Sequence, residues 1–157
     1  MLLSAVVTLS PIHPAVISPD LGRAIHAWFL AQVRRADPAL AERLHGSNAL
    51  RPFTISSLQG IGRPVAGRVS LAPGQDCWLR VTSMEEALSR CLLEKVLSAL
   101  PEEAELAGAT FAVRGATCDP AEHPWAGQTT YEALVQEHML RSGRPERSIT
   151  LQFAPPT

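Results

Sequence analysis

Residues 43–60, RLHGSNALRPFTISSLQG, contain the end of a predicted helix, a polar loop and the start of a predicted strand. Beyond the loop, side chains at 53, 55 and 57 alternate with those at 54, 56 and 58, as in a strand. His45 and Arg51 flank the loop, which is held at one end by the predicted helix and at the other by the predicted strand. A histidine near an arginine in such a loop suits proton transfer beside an anion. The simpler interpretation, favoured by these residues alone, is an exposed histidine stabilised by the helix dipole.

Patterning on both sides of this segment predicts an α+β domain. The predicted elements are, in order, a strand at 2–9, two helices at 18–33 and 37–45, two strands at 53–58 and 75–82, a helix at 83–99 and a strand at 105–117. Ser18-Pro19 and Asp37-Pro38 are the expected starts of the first two helices, and Ser83 to Glu86 is a capping box that starts the third. This βαββαβ order predicts a ferredoxin-like (RRM-like) domain, an antiparallel sheet with helices on one face.

The domain is expected to cover residues 1–120. Residues 121–147 are predicted to form a connecting helix, opened by a Thr129–Glu132 capping box, and a basic turn. His138 shares the apolar face of that helix, so we expect it to be a packed core histidine. Residues 148–157 alternate as a strand that stops abruptly.

Composition narrows the class of protein. The chain has 157 residues, a formal net charge of −1 and 46% apolar residues, so one domain or slightly more is expected, without indiscriminate binding of polyanions. No apolar run of ~18 residues and no basic leader are present, which predicts no transmembrane helix, no signal peptide and no membrane contact. Cys77, Cys91 and Cys118 have no zinc-binding spacing and are predicted to be reduced core thiols of a cytoplasmic protein. No metal and no cofactor are expected.

Four segments together resemble one family, the CRISPR-associated endoribonuclease that cuts precursor CRISPR RNA within its repeats, a member of the RAMP superfamily. Residues 21–30 are similar to its first helix, and residues 67–82 fit its next strands. Residues 37–45 followed by 51–58 are similar to its most recognisable motif. Residues 148–157 resemble the opening strand of its second ferredoxin-like domain. The chain therefore resembles the N-terminal half of that enzyme.

The resemblance implies metal-independent cutting of RNA. The 2′-hydroxyl attacks the adjacent phosphate and leaves a 2′,3′-cyclic phosphate and a 5′-hydroxyl, which requires a base, an acid and positive charge. His45 stands where many members keep a catalytic histidine, and Arg51 where a basic residue assists in some. Some members also use a histidine of the first helix, here His26, which from its own helix would be a half-buried structural histidine.

The resemblance also implies CRISPR repeat RNA as the partner. Lys95 is the only lysine among fourteen basic residues, and the arginine fork suits phosphate, although a GC-rich genome would give the same bias. The candidate RNA-binding residues are Arg63 and Arg68 in a glycine-spaced loop, and Arg141, Arg144 and Arg147 in the basic turn. Taken alone, the loop arginines are better explained as solvated side chains. Two further candidate partners are subunits of a CRISPR effector complex and a second copy of the chain.

Two other functions remain open at this point. A non-catalytic RNA-binding or scaffold module is common among RAMP folds, although the aromatic content is only 5% and RNA-binding sheets usually stack bases on aromatic side chains. A small-ligand regulatory domain is the third, because fold alone does not determine function. The family's glycine-rich loop and much of its RNA-binding surface belong to the second domain, so residues 1–157 are expected to be an incomplete half.

Overall fold

The structure, a computed structural model, describes residues 1–46 and 51–140. Its strands are Leu2–Pro11 (β1), Ala15–Ile17 (β2), Phe53–Ile55 (β3), Val69–Leu71 (β4), Cys77–Ser83 (β5), Glu103–Leu106 (β6), Ala109–Thr117 (β7) and Gly127–Thr129 (β8). Its α-helices are Gly22–Ala36 (α1), Pro38–Gly46 (α2), Glu86–Cys91 (α3) and Tyr131–Val135 (α4). The third and fourth continue through π-helical turns at Leu92–Val96 and Gln136–Leu140, and a 3₁₀ turn, Leu97–Ala99, completes the third.

The main sheet confirms the ferredoxin-like prediction. Its strands lie in the order β3-β5-β1-β7-β6, each antiparallel to its neighbour. β1 is central, with Leu9 opposite Cys77 of β5 on one side and opposite Val113 of β7 on the other. β8 pairs with Leu2–Ser4 beyond the end of β7, so part of the predicted connecting region joins this sheet. β2 and β4 form a separate small sheet.

One face of the main sheet carries the core. Along β5, Cys77, Leu79 and Val81 are buried against the helices, whereas Trp78 and Arg80 are half-buried on the other face, as the alternation predicts. The helices contribute Ile25, Phe29, Val33, Leu40, Leu44, Leu88 and Leu92 to the same cluster. Burial raises the pKa of the Cys77 thiol to about 11, so this cysteine is an uncharged core residue, as predicted.

The predicted starts of the first two helices have different outcomes. α1 begins at Gly22, not at Pro19, because the Ser18 hydroxyl accepts from the amide of Asp20 and closes a turn before the helix. For α2 the prediction is confirmed, since the Asp37 carboxylate accepts from the amide of Leu40 at 2.9 Å. Such a bond satisfies one of the free amides of a first helical turn.

The predicted capping box at Ser83 is wrong. Ser83 is the last residue of β5, opposite Leu3, and Glu85 precedes the helix with extended backbone and no side-chain cap. The Ser83 hydroxyl is buried and lies 3.0 Å from the Ser89 hydroxyl. Pairing in the sheet therefore overrides the local helix-start signal.

Two predicted strands are also shorter than expected. The segment 105–117 is a hairpin, because Ala107 and Gly108 adopt positive φ angles of 51° and 82° and join β6 to β7. The segment 53–58 is a strand only as far as Ile55. Both segments keep an apolar pattern past the point where the strand ends, so periodicity alone does not reveal the break.

The C-terminal helix differs from the prediction in its cap and its packing. Thr130, not Thr129, is the cap, and its hydroxyl accepts from the amide of Ala133 at 3.0 Å. The His138 side chain is 67% exposed, so the prediction of a core histidine is wrong. Within residues 1–46 and 51–140, no residue of α4 or of its π-helical turn is buried. The predicted strand at 148–157 lies outside the described residues.

Gly60 lies where the chain turns towards the small sheet, with φ at 83°. A Cβ there would lie 2.3 Å from the carbonyl oxygen of Asp76, whereas a Cβ at Gly62, with φ at 84°, would meet open space. Gly62→Ala is expected to destabilise the fold by about 1–2 kcal/mol, the cost of left-handed backbone. Gly60→Ala should cost at least ~1 kcal/mol more, because the backbone must shift.

Urea denaturation of the two variants measures this difference. Equal midpoints for Gly60→Ala and Gly62→Ala would contradict the close approach of Gly60 to Asp76.

Candidate active site

His26 is held between α1 and β3. It follows the buried Ile25 on α1, and its half-buried ring stacks on Phe53 with centroids 5.8 Å apart and planes inclined by 23°. Phe53 in turn packs against Phe29 of α1, at 5.4 Å between centroids. These contacts fix the plane of the imidazole, which a proton-transfer group requires.

Arg51 lies beside this imidazole. Its Nη1 is 3.2 Å from His26 Nε2. A guanidinium only donates hydrogen bonds, so Nε2 must be the acceptor in this contact. His26 is therefore neutral here and carries its proton on Nδ1.

The surroundings of His26 favour the same neutral form. Its pKa is lowered from the ordinary value first by burial, then by the positive charge of Arg51, and then by His45. A histidine with a lowered pKa is unprotonated at neutral pH and can accept a proton.

His45 is exposed in the last turn of α2. The helix is anchored by Leu40, Ala41 and Leu44, all buried, so the opposite side of its last turn presents His45 to solvent. Because His45 lowers the pKa of His26, the two imidazoles lie within electrostatic reach of each other.

The structure thus places the three predicted catalytic residues at one junction of α1, α2 and the segment before β3. Two imidazoles can provide an acid and a base, and the guanidinium can neutralise an anion. Residues 47–50, which connect His45 to Arg51, lie outside the described residues.

The predicted RNA-binding arginines are placed only in part. Arg63 and Arg68 are exposed on the segment before β4, where Val65 and Arg68 pair across a tight turn. Arg68 donates to the carbonyl of Val16 at 3.1 Å, so one end of its guanidinium is engaged in the fold. Arg141, Arg144 and Arg147 lie outside the described residues.

A cluster on the open face of the sheet was not predicted from the sequence. The Arg80 guanidinium lies 4.7 Å from the ring centre of Trp125, and Trp78 meets His123 edge to face at 4.7 Å. The alternation of β5 indicates that Trp78 and Arg80 share this face, but nothing in the sequence indicates that the loop before β8 packs on them.

Residues 1–46 and 51–140 contain neither a metal-binding cluster nor a membrane-spanning helix. No group of three or more His, Cys, Asp or Glu side chains there is arranged to hold a metal ion. No helix in that part of the chain is long and apolar enough to cross a membrane.

Solved structures share this fold. A Cas6 product complex is 27% identical with a TM-score of 0.62, and the match covers 85% of this chain and 47% of that one. A second Cas6 product complex is 26% identical with a TM-score of 0.56, covering 87% and 47%. A RAMP protein binding different RNA substrates is 18% identical, with a TM-score of 0.58 and coverage of 73% and 47%, and shows the fold alone. The chain therefore spans about half the length of these proteins.

No curated protein matches the chain. The family model of the CRISPR Cas6 N-terminal domain, by contrast, matches residues 1–136. That range contains β1 to β8 and all three residues of the candidate active site. The resemblance predicted from the sequence is confirmed, and the chain belongs to the CRISPR Cas6 N-terminal domain family.

Proposed function

We propose that this chain supplies the catalytic site of a CRISPR RNA endoribonuclease. The observation that carries the proposal is the contact of Arg51 with a neutral His26, close to the exposed His45. The substrate is CRISPR repeat RNA, an inference supported by membership of the family and by the likeness to two Cas6 product complexes.

In the proposed reaction His26 is the general base. Its Nε2 takes the proton of the 2′-hydroxyl while the 2′-oxygen attacks the adjacent phosphorus. The bond from phosphorus to the 5′-oxygen breaks, and His45 gives a proton to that oxygen. The products are a 2′,3′-cyclic phosphate and a 5′-hydroxyl. The assignment of the base follows from the lowered pKa of His26, because a base must be unprotonated before the reaction.

Arg51 has two successive partners in this mechanism. Without RNA it donates to His26 Nε2, the same lone pair that must accept the proton. A phosphate offers the guanidinium a charged, bidentate partner, which is a stronger one than a neutral imidazole. Binding of the scissile phosphate therefore draws Arg51 away and frees Nε2 at the moment the base is needed.

Cleavage of the repeat RNA in EDTA tests this function with the full-length gene product. We expect cutting to continue in EDTA, since both proton transfers are assigned to histidines, and to leave a 2′,3′-cyclic phosphate. A 2′-deoxy nucleotide at the cleaved position should abolish cutting because the nucleophile is missing. Cleavage of the 2′-deoxy substrate would rule out attack by the 2′-hydroxyl.

The second candidate function is RNA binding without cleavage. It is supported by Trp78, Arg80 and Trp125 on the open face of the sheet, since aromatic and arginine side chains on such a face can stack bases. Tight binding of the repeat RNA with no cut product, in EDTA or in Mg²⁺, would select this function over the first.

A further inference from the structure

The turn between β5 and α3, residues Met84 and Glu85, contacts both sides of the candidate active site. The Met84 amide donates to the carbonyl of Pro52 at 2.8 Å, directly after Arg51. Glu85 Oε1 lies 2.5 Å from Nη2 of Arg43, two residues before His45. This turn therefore connects the two chain segments that flank residues 47–50.

The turn itself is fixed to the core. The Ser83 hydroxyl lies 3.1 Å from the Glu85 carbonyl oxygen and 3.4 Å from its amide. Ser83 and Ser89 are 1% and 0% exposed, and Ser89 Oγ also contacts the carbonyl of Met1 at 3.1 Å. Buried, satisfied polar networks hold their members in one arrangement. The backbone of Glu85 is thus a rigid base from which its side chain reaches α2.

We propose that Glu85 is a positioning residue: through Arg43 it fixes the last turn of α2, and with it His45, relative to His26 and Arg51. The part of the proposal that concerns the rate rests on the proposed function. The Arg43 and Glu85 side chains are 56% and 34% exposed, and such ion pairs contribute little to overall stability. The effect of Glu85 should therefore be seen in the geometry of the site and not in the stability of the fold.

A second ion pair of α2 provides the matched control. Glu42 lies next to Arg43 and pairs with Arg34 of α1 at 3.2 Å, with both side chains exposed. Arg34 is eight residues along α1 from His26, about 12 Å at 1.5 Å per residue. Glu42→Gln and Glu85→Gln each raise the net charge by one, so any general gain in attraction to RNA is common to both variants.

The first experiment measures the single-turnover cleavage rate and the affinity for repeat RNA separately in the full-length protein. We expect Glu85→Gln to lower the rate constant ~10-fold, in line with the large cost of small misplacements. Its Kd should stay within about twofold of that of Glu42→Gln, whose rate should equal wild type. The exchange Arg43→Glu/Glu85→Arg restores the pair in reverse and should recover most of the rate.

Three results of this experiment would overturn the proposal. They are equal rates for the two glutamine variants, failure of the exchange to recover the rate, and a gain in RNA affinity confined to Glu85→Gln with an unchanged rate. The last would assign Arg43 to phosphate binding, with Glu85 as a competitor for it.

The second experiment does not depend on cleavage. The charged groups that lower the pKa of His26 are Arg51 and His45. NMR titration of the His26 ring measures this pKa in the chain without RNA. If Glu85 holds His45 in place, Glu85→Gln should raise the pKa of His26 towards its ordinary value, because His45 moves away. Glu42→Gln should leave it unchanged.

An unchanged pKa of His26 in Glu85→Gln would overturn the positioning role, whether or not the protein cuts RNA. Absence of cleavage by the wild-type protein would instead refute the proposed function. The titration would still decide whether Glu85 holds His45 in place.

Discussion

Replacing His45 with alanine is expected to lower the single-turnover rate of repeat RNA cleavage by ~10²-fold or more, the usual contribution of a general acid. The leaving 5′-oxygen would then depart without a proton. Affinity for RNA should stay nearly constant, because His45 is an exposed end-of-helix residue and the buried anchors of α2 are unchanged.

His138→Ala is the control for this variant. That histidine is also exposed in a helix, at 67%, so its replacement repeats the chemical change without touching the site. A His45→Ala protein that cuts at the wild-type rate would remove His45 from the mechanism.

Replacing His26 with alanine is expected to slow cleavage by a similar ~10²-fold or more and to change the shape of the pH profile. In the wild-type protein kcat/KM, which reports the free protein, should rise with pH through the pKa of His26, since only the neutral ring accepts a proton. That pKa is lowered by burial, Arg51 and His45, so the rise should be complete at a lower pH than for an ordinary histidine.

The rising limb of the profile should disappear in His26→Ala. His26→Gln separates proton transfer from structure, because the glutamine oxygen can still accept from Arg51 but cannot carry a proton at these pH values. A full rate and an intact rising limb in His26→Gln would make His26 a structural residue.

Local patterns predicted the types of the main elements, because each depends on neighbours in sequence. Asp37 caps α2 as its position before a proline indicates, and β5 alternates as its apolar spacing indicates. Ser83 was misassigned because its partner in the sheet, Leu3, is remote in sequence. His138 was misassigned because periodicity shows which face of a helix is apolar. It does not show whether another element of residues 1–46 and 51–140 packs on that face.

The site was predictable as residues but not as an arrangement. His45 and Arg51 stand out locally, whereas His26 was a candidate only through the family resemblance. The sequence contains no signal that His26 stacks on Phe53 or accepts from Arg51, 25 residues away. Glu85 was assigned to a capping box, and its contact with Arg43, 42 residues away, depends on the tertiary fold.

The central place of β1 has a consequence for synthesis on the ribosome. β1 is made before its partners β5 and β7, which end at Ser83 and Thr117. At a synthesis rate of roughly 5–20 residues per second, its second neighbour, β7, is completed on the order of ten seconds after β1. Ala5, Val6 and Val7, at most 2% exposed in the finished sheet, are accessible to holding chaperones throughout that interval. β1 thus leaves the tunnel before both of its neighbours in the sheet, and its pairing is complete only after the second of them has emerged.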